Sequence, residues 1–305
     1  MIRRAAALVL LLAAALLVAC GGGDDGPSGE PTSAPKGPVI RLGTKNFSEQ
    51  FILGELYRQA LVAKGFRVDL KEDVGSTEII DAALTIGKLD MYPEYVGVLL
   101  SEIAGQKRRP RSAREAYTRA QRFVRSRDQR LLDATPFSNS NALAVKPATA
   151  RRLGLRSVGD LDNAPGRVEI AAPPEFRTRF EGLLGLRELY GLRNIDVVPT
   201  AIGEQYDALD DGLVDVAAVF TTDGQLNAGT YELLDDEKGL FSYQNVAPVV
   251  SRKMLDAAPG LADALDAVSA KLTTRAMQAM NAAVDLRGDR PAAVARRFLR
   301  EHGLV

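Results

Sequence analysis

The sequence AALTIGKLDMYPEYVG, residues 82–97, contains the end of a helix, a glycine, a short strand and an aromatic turn. The first five residues are mostly apolar and favour a helix, which Gly87 closes in the left-handed conformation common at helix ends. Residues 89–92 predict a strand. Pro93 is expected to stop that strand because proline has no N–H for a ladder. Residues 94–97 then have the pattern of an exposed turn.

This unit occurs twice in the chain. ALTIGKLD at residues 83–90 and ALDDGLVD at residues 208–215 share the pattern A-L-x-x-G-x-x-D, and a predicted strand and an aromatic residue follow each copy. The upstream elements correspond as well: strand 39–42, helix 48–64 and strand 66–70 match strand 167–171, helix 175–190 and strand 195–198. We therefore predict an α/β protein with two similar lobes, since internal repeats indicate repeated structural units.

Two apolar strands outside the repeats, residues 142–145 and 247–250, are predicted to carry the chain between the lobes. These crossings place residues 38–141 and 246–305 in the first lobe and residues 142–245 in the second. Helical patterns at residues 261–283 and 291–302 then return to the first lobe. Lobes joined by two hinge strands can close on a ligand.

The N-terminus has the pattern of a bacterial export signal. Two arginines precede an apolar run at residues 5–18, which is shorter than the about 20 residues that span a membrane. LVAC at residues 17–20 resembles a bacterial lipobox, so we expect residues 1–19 to be removed as a signal peptide and Cys20 to be lipidated. Residues 20–37 are rich in Gly, Pro and Ser and predict a flexible tether.

A lipidated tether predicts a lipoprotein at the outer face of the cytoplasmic membrane, on the cell surface or in the periplasm. The alternative is an ordinary signal peptide with an incidental cysteine.

Charge is balanced, with 39 Lys and Arg against 39 Asp and Glu, so no nucleic-acid partner is expected. The arginine-rich segment at residues 107–130 has apolar residues at helical spacing, which makes its arginines the solvated face of an amphipathic helix.

The residue inventory disfavours catalysis. The chain has one histidine, His302, and one cysteine, so neither a nucleophile–base pair nor a multi-histidine metal site is expected. The common phosphate-binding, esterase, zinc-protease and calcium-binding motifs do not occur. We predict a binding protein with no enzyme activity, no cofactor and no metal. The alternative in a different class is a lipid-anchored hydrolase that uses paired carboxylates.

Candidate ligand contacts lie in loops between strands and helices, where open α/β sheets bind ligands. Lys45, Gln50 and Thr77 occupy or follow such loops in the first lobe. Glu175 and Arg179 begin the corresponding helix of the second lobe. Arg179 can hold a carboxylate in a bidentate pair.

Three aromatic residues are also expected at the cleft. Tyr95 and Phe220 follow the two repeated strands and should face each other, and Tyr243 precedes the second crossing. A quaternary ammonium gains about 0.5–2 kcal/mol over each ring face. The alternative is that these rings belong to the core.

The sequences around these residues resemble the osmoprotectant-binding proteins of ABC importers, the glycine betaine, choline and carnitine class. The matching stretches are KNFSEQFILGE (45–55), DMYPEYVG (90–97), PEFRTR (174–179), TDG (222–224), LDD (234–236) and APVV (247–250). The resemblance implies a two-lobed periplasmic-binding-protein (Venus-flytrap) fold with the ligand between the lobes. It also implies delivery of the ligand to a membrane permease and its ATPase.

The resemblance places a cation cage at Tyr95, Phe220 and Tyr243, and a carboxylate site at Arg179 with Lys45 as a further contact. A monomer that binds a betaine-like osmoprotectant is the leading hypothesis.

Two departures from the family pattern thin the cage. Val98 replaces a residue that is often threonine, and Asn141 occupies a position that often holds a cage tyrosine. The ligand is therefore either betaine-like or another small polar solute, such as an amino acid or a modified sugar. A sensor or scaffold lipoprotein is a further alternative.

Overall fold

The structure is a computed structural model that describes residues 37–106, 108–241 and 243–305. The predicted signal peptide, the lipidation site at Cys20 and the tether up to residue 36 lie outside these ranges. Within the described ranges, no helix is both long enough and apolar enough to cross a membrane.

The first sheet has five strands, most of them from the first half of the chain. They are β1 (Val39–Lys45), β2 (Arg67–Gly75), β3 (Met91–Tyr95), β4 (Gln129–Leu131) and β10 (Val246–Ser251), in the order β2-β1-β3-β10-β4. β1 is parallel to β2 and β3, whereas β10 runs antiparallel to β3 and β4. The chain thus returns to its first sheet after building the second.

The second sheet repeats this arrangement. It consists of β5 (Asn141–Val145), β6 (Val168–Ala172), β7 (Ile195–Pro199), β8 (Val216–Phe220) and β9 (Glu232–Leu233), in the order β7-β6-β8-β5-β9. β6 is parallel to β7 and β8, and β5 is antiparallel to β8 and β9. Because β6, β7 and β8 take the places of β1, β2 and β3, the structure confirms two similar α/β lobes.

Helices cover both faces of each sheet. They are α1 (Ser48–Ala63), α2 (Thr77–Thr85), α3 (Val96–Val98), α4 (Ala113–Arg125), α5 (Pro147–Leu153), α6 (Gly185–Glu188), α7 (Gln205–Asp210), α8 (Arg252–Ala257), α9 (Leu261–Ser269), α10 (Thr274–Asp285) and α11 (Pro291–Glu301). α1, α9, α10 and α11 pack on one face of the first sheet, and α2 and α4 pack on the other. α4 buries Ala116, Ala120 and Val124 and turns arginines to solvent, as the sequence predicts.

Pro93 does not end its strand, contrary to the sequence prediction. β3 continues through Pro93 to Tyr95, and Pro93 lies opposite Pro248 of β10. The Pro248 carbonyl accepts a hydrogen bond from Leu132 N, at 2.9 Å, on the far side of β10. The two prolines therefore meet where the ladder between β3 and β10 needs no N–H. The turn that follows, expected to be exposed, is buried.

The long helix predicted at residues 261–283 is two helices, α9 and α10. Leu272 lies between them and is fully buried. Its carbonyl accepts a hydrogen bond from Phe137 N at 3.0 Å. Thr273 then caps α10 by accepting a hydrogen bond from Ala276 N. The tertiary contact of Leu272 thus outweighs the local helical preference.

The chain changes sheet through residues 132–140 and residues 234–245. The predicted crossing strands are members of the sheets themselves, because β5 and β10 each pair with the last strand of a repeat. The two connecting segments lie side by side. Ser138 pairs with Asn245, and Asn139 N donates to the Gln244 carbonyl at 3.1 Å. Two adjacent connections of this kind form a hinge.

Candidate ligand-binding site

A cavity of about 470 Å³ lies between the two sheets. The ends of β1, β3 and β8 and the loop after β6 open into it, which is where open α/β sheets bind ligands. Seven of the predicted residues line it: Lys45, Thr77, Tyr95, Asn141, Glu175, Arg179 and Phe220. The fold brings these residues together, and their role as ligand contacts stays a prediction.

Gln50 and Tyr243 do not line this cavity. Gln50 is fully buried behind the wall, where its side-chain amide donates to the Pro93 carbonyl at 3.2 Å. Tyr243 is 40% exposed, and its hydroxyl donates to the Arg111 carbonyl. Its neighbour Gln244 lines the cavity instead. Successive side chains of an extended segment point to opposite sides, so Gln244 faces this cavity and Tyr243 faces away from it.

Tyr95 forms an aromatic face of the cavity together with Phe47. The two rings are stacked, with centroids 6.1 Å apart. Tyr95 is 4% exposed, and its hydroxyl donates to Glu49 at 2.8 Å. Burial raises the pKa of Tyr95 well above its ordinary value, so the hydroxyl stays a donor. Phe220 lines the cavity from the opposite lobe. Tyr95 and Phe220 therefore contribute to one cleft, as predicted.

Lys45 already interacts with two side chains of the protein. Its ammonium nitrogen lies 2.5 Å from Glu94 and 4.7 Å from the centroid of the Tyr95 ring. Burial lowers the pKa of Lys45 and raises the pKa of Glu94, because desolvation outweighs their mutual attraction. Lys45 therefore stabilises the aromatic wall and has limited capacity for a ligand carboxylate.

Compared with Lys45, Arg179 has the more distant carboxylate partner. Its closest carboxylate is that of Glu78, at 3.8 Å, and its side chain is 29% exposed. The predicted helix at residues 175–190 is broken here into short turns at Pro174–Arg177 and Phe180–Leu184, followed by α6. Gly182 adopts non-helical angles, and a Cβ on it would lie 2.2 Å from the Phe176 carbonyl oxygen. This kink leaves Arg179 extended between the turns.

The kink also brings Glu181 into the cavity, which the sequence analysis missed. In the continuous helix that was predicted, positions 179 and 181 would lie on nearly opposite faces. The Glu181 carboxylate accepts hydrogen bonds from Gln244 at 2.9 Å and from Asn141 at 3.4 Å. One wall of the cavity is thus polar and anionic, and the ring of Tyr243 that was expected there is absent from it. Phe47 was also missed, although it lies within the KNFSEQ motif.

Within the residues that the structure describes, no three His, Cys, Asp or Glu side chains are grouped so as to hold a metal ion. Aromatic faces, the Arg179 guanidinium and carboxylates such as that of Glu181 line the same cavity, an arrangement that suits a small zwitterion. Fold and cleft together define a two-lobed solute-binding protein.

The chain belongs to a family whose model matches residues 38–301: the substrate-binding domain of the ABC-type glycine betaine transport system. A glycine-betaine-binding protein of Pseudomonas aeruginosa is 35% identical over 279 residues, covering 88% of this chain and 89% of the relative. The carnitine transport binding protein OpuCC of Listeria monocytogenes is 24% identical, covering 87% of each chain. These comparisons confirm the resemblance found in the sequence.

Among solved structures, a glycine betaine/carnitine/choline ABC transporter protein matches with a TM-score of 0.74 and 27% identity, covering 87% of this chain and 99% of that one. This confirms the two-lobed fold. The protein is a substrate-binding protein of an ABC transport system. Such proteins bind a small molecule outside the cytoplasm and work with a permease and its ATPase.

Proposed function

We propose that the protein captures a betaine-like quaternary ammonium zwitterion in the cavity between its lobes. The observation that carries the proposal is that Arg179, the Tyr95 ring and the Glu181 carboxylate line one cavity. A zwitterion needs a cationic and an anionic partner at separate places. The named ligands of the relatives, glycine betaine and carnitine, have this chemistry.

The ligand carboxylate would lie against Arg179. Its guanidinium can form two parallel hydrogen bonds to a carboxylate, and its nearest protein carboxylate is 3.8 Å away. Lys45 already pairs with Glu94. Arg179 is therefore the main anchor for the ligand carboxylate, and Lys45 is a secondary contact.

The ligand cation would lie among Phe47, Tyr95, Phe220 and Glu181. Each ring face contributes about 0.5–2 kcal/mol to binding a cation. Glu181 replaces part of what a ring at position 141 would supply, because a carboxylate also attracts a cation. Selectivity then rests on charge as much as on ring contacts.

A zwitterionic amino acid is the second candidate. The wall of Asn141, Gln244 and Glu181 is built of amide and carboxylate groups, which suit an ammonium that donates hydrogen bonds.

The proposed function also includes a lipid anchor at Cys20, a monomeric state and no enzyme activity.

Isothermal titration with glycine betaine, carnitine, proline betaine and choline tests the site. Arg179→Ala should weaken glycine betaine and carnitine about 10- to 100-fold, the value of a charge-assisted contact, and leave choline, which has no carboxylate, nearly unchanged. Glu181→Gln should weaken glycine betaine and choline alike, because both carry the cation. The exposed Arg187 offers a matched control, and Arg187→Ala should bind as wild type does.

Two results would contradict the proposal. Equal losses of glycine betaine and choline in Arg179→Ala would remove Arg179 as the carboxylate anchor. Binding of unmethylated amino acids with no heat from any quaternary ammonium compound would favour the second candidate.

A further inference from the structure

Glu49 is a buried carboxylate that the ligand contacts proposed above do not use. It is 4% exposed and lies in the first turn of α1. Its Oε1 accepts hydrogen bonds from the Tyr95 hydroxyl at 2.8 Å and the Asn139 amide at 2.7 Å. Its Oε2 accepts from the Thr222 hydroxyl at 2.6 Å and the Asn281 amide at 2.9 Å. All four donors are neutral, and such a set compensates the cost of burying a charge.

The four donors come from four separate parts of the molecule. Tyr95 ends β3 in the first lobe, and Asn139 lies in the first connection between the lobes. Thr222 follows β8 in the second lobe and is fully buried. Asn281 belongs to α10, which packs on the first sheet. A single carboxylate therefore joins the first lobe, the hinge and the second lobe.

The same point holds a direct contact between the lobes. The amides of Gln278 and Asn281 donate to the carbonyls of Thr221 and Thr222, at 2.9 and 2.8 Å. A Cβ on Gly224 would lie 2.5 Å from the Ala282 Cα atom, so only glycine permits this approach. The loop after β8 thus rests on α10 and forms a third connection between the lobes, beside the two hinge segments.

This contact is close to Tyr95 and Phe220, two of the aromatic residues that line the cavity. Glu49 accepts a hydrogen bond from the Tyr95 hydroxyl. Thr222, which also donates to Glu49, lies two residues after Phe220 in the chain. A change at Glu49 would shift Tyr95 and Phe220 relative to each other. Ring positions decide how much a cation gains between two ring faces.

The amide oxygens of Asn139 and Asn281 are buried and have no hydrogen-bond partner among the described residues. Leaving such an acceptor unpaired costs free energy. Both amides nevertheless present their NH₂ groups to Glu49. The orientation of these side chains therefore depends on the negative charge at position 49.

We propose that Glu49 is a positioning residue that forms the pivot of lobe closure and sets the distance between Tyr95 and Phe220. It acts through the four protein groups that donate hydrogen bonds to it. The inference rests on the proposed function only where ligand affinity is measured, because the lobe geometry can be measured without a ligand.

The test compares Glu49→Gln with Glu55→Gln. Glu55 lies on the same helix, is 8% exposed and pairs with Arg58 and Gln59, so it is a matched buried carboxylate outside the cavity lining. Glutamine at position 49 has nearly the same side-chain volume as glutamate. Its NH₂ group, however, would face hydroxyl and amide donors that need an acceptor. We expect Glu49→Gln to bind glycine betaine about tenfold more weakly and Glu55→Gln to bind it as wild type does.

The double variant Glu49→Gln/Asn139→Asp separates positioning from general damage. The amide introduced at position 49 would donate one N–H to the carboxylate introduced at position 139 and the other to the Tyr95 hydroxyl, while its oxygen still accepts from Thr222 and Asn281. The negative charge thus stays within the network. We expect affinity to return to within about threefold of wild type, although each single substitution weakens binding, as coupled neighbours do in a double-mutant cycle. A double variant as weak as its singles would overturn the proposal.

Spin labels on the exposed residues Arg122 and Arg151, one in each lobe, report the lobe geometry in a Cys20→Ser background. Without ligand, Glu49→Gln should broaden the interlobe distance distribution and Glu55→Gln should not. An unchanged distribution in Glu49→Gln would overturn the pivot. If wild type binds no glycine betaine, the proposed function fails, and the distance distributions alone decide the inference.

Discussion

At the scale of single residues, Asp223 shows how one buried group positions a candidate ligand contact. Its carboxylate accepts hydrogen bonds from Phe220 N at 3.0 Å and from the Tyr206 hydroxyl at 2.8 Å. It thereby holds the loop that carries Phe220. Burial raises the pKa of Asp223 to about 7, and the nearby charges of Glu49 and Asp285 add to the shift.

This raised pKa predicts a pH dependence of stability. The folded state holds the Asp223 proton more tightly than the unfolded state, whose aspartate pKa is about 3.9. The resulting stabilisation is complete below pH ~4 and is lost as pH rises through 7. Urea unfolding at pH 4.5 and pH 8 should therefore show a smaller loss of stability in Asp223→Asn than in wild type. The exposed Asp211 serves as the control, and an identical loss in Asp223→Asn and Asp211→Asn would contradict the prediction.

At the scale of elements, the kink after β6 creates the charged part of the cavity. A regular helix at residues 175–190 would place Arg179 and Glu181 on different faces. The close packing of Gly182 against the Phe176 backbone breaks that helix and turns both side chains into the cavity. Pro93 shows the opposite effect, because tertiary contacts here preserve an element that the local sequence would end. It stays within β3 opposite Pro248 of the antiparallel strand β10.

Gly182→Ala tests the kink. The added Cβ would lie 2.2 Å from the Phe176 carbonyl oxygen, so backbone must move. We expect about 1–3 kcal/mol of lost stability, the usual cost of overpacking, and at least about tenfold weaker glycine betaine binding. Thermal melting and titration measure the two effects. Glu188→Ala, an exposed change in the same segment, should alter neither, and wild-type binding by Gly182→Ala would show that the kink does not position Arg179.

At the scale of the whole molecule, two equivalent lobes meet at a cleft, at two adjacent hinge segments and at the contact of α10 with the loop after β8. A ligand between the lobes touches both of them. Its binding free energy therefore adds to the stability of the closed arrangement.

A specific ligand should raise stability with the logarithm of its concentration relative to its dissociation constant. Glycine betaine at 100 times its dissociation constant should add about 2.7 kcal/mol to the free energy of unfolding, visible as a rise in melting temperature. Arg179→Ala should keep only about 0.4–1.4 kcal/mol of this rise at the same concentration, because its dissociation constant is about 10- to 100-fold higher, whereas Arg187→Ala should keep all of it. Sucrose at equal molarity controls for general osmolyte stabilisation. An equal rise with sucrose would show that glycine betaine acts on the solvent and not at the site.

The sequence by itself determined the order of the elements, the two lobes, the family and most of the cleft positions. These follow from local signals: periodic apolar residues, glycines with positive φ such as Gly87, and the fact that strand ends meet at one sheet edge. The repeat placed Tyr95 and Phe220 in one cleft because each follows the same strand of its lobe.

The tertiary structure alone decided which neighbour faces the cleft at positions 243 and 244, where the helix after β6 breaks, and what surrounds Glu49. Glu49 and Asn281 are 232 positions apart in the chain, yet they share a hydrogen bond. No local pattern contains such a contact, because its free energy depends on desolvation and on the close approach of two lobes. Side-chain direction and buried charge are therefore properties of the packed molecule, while element type is a property of the sequence.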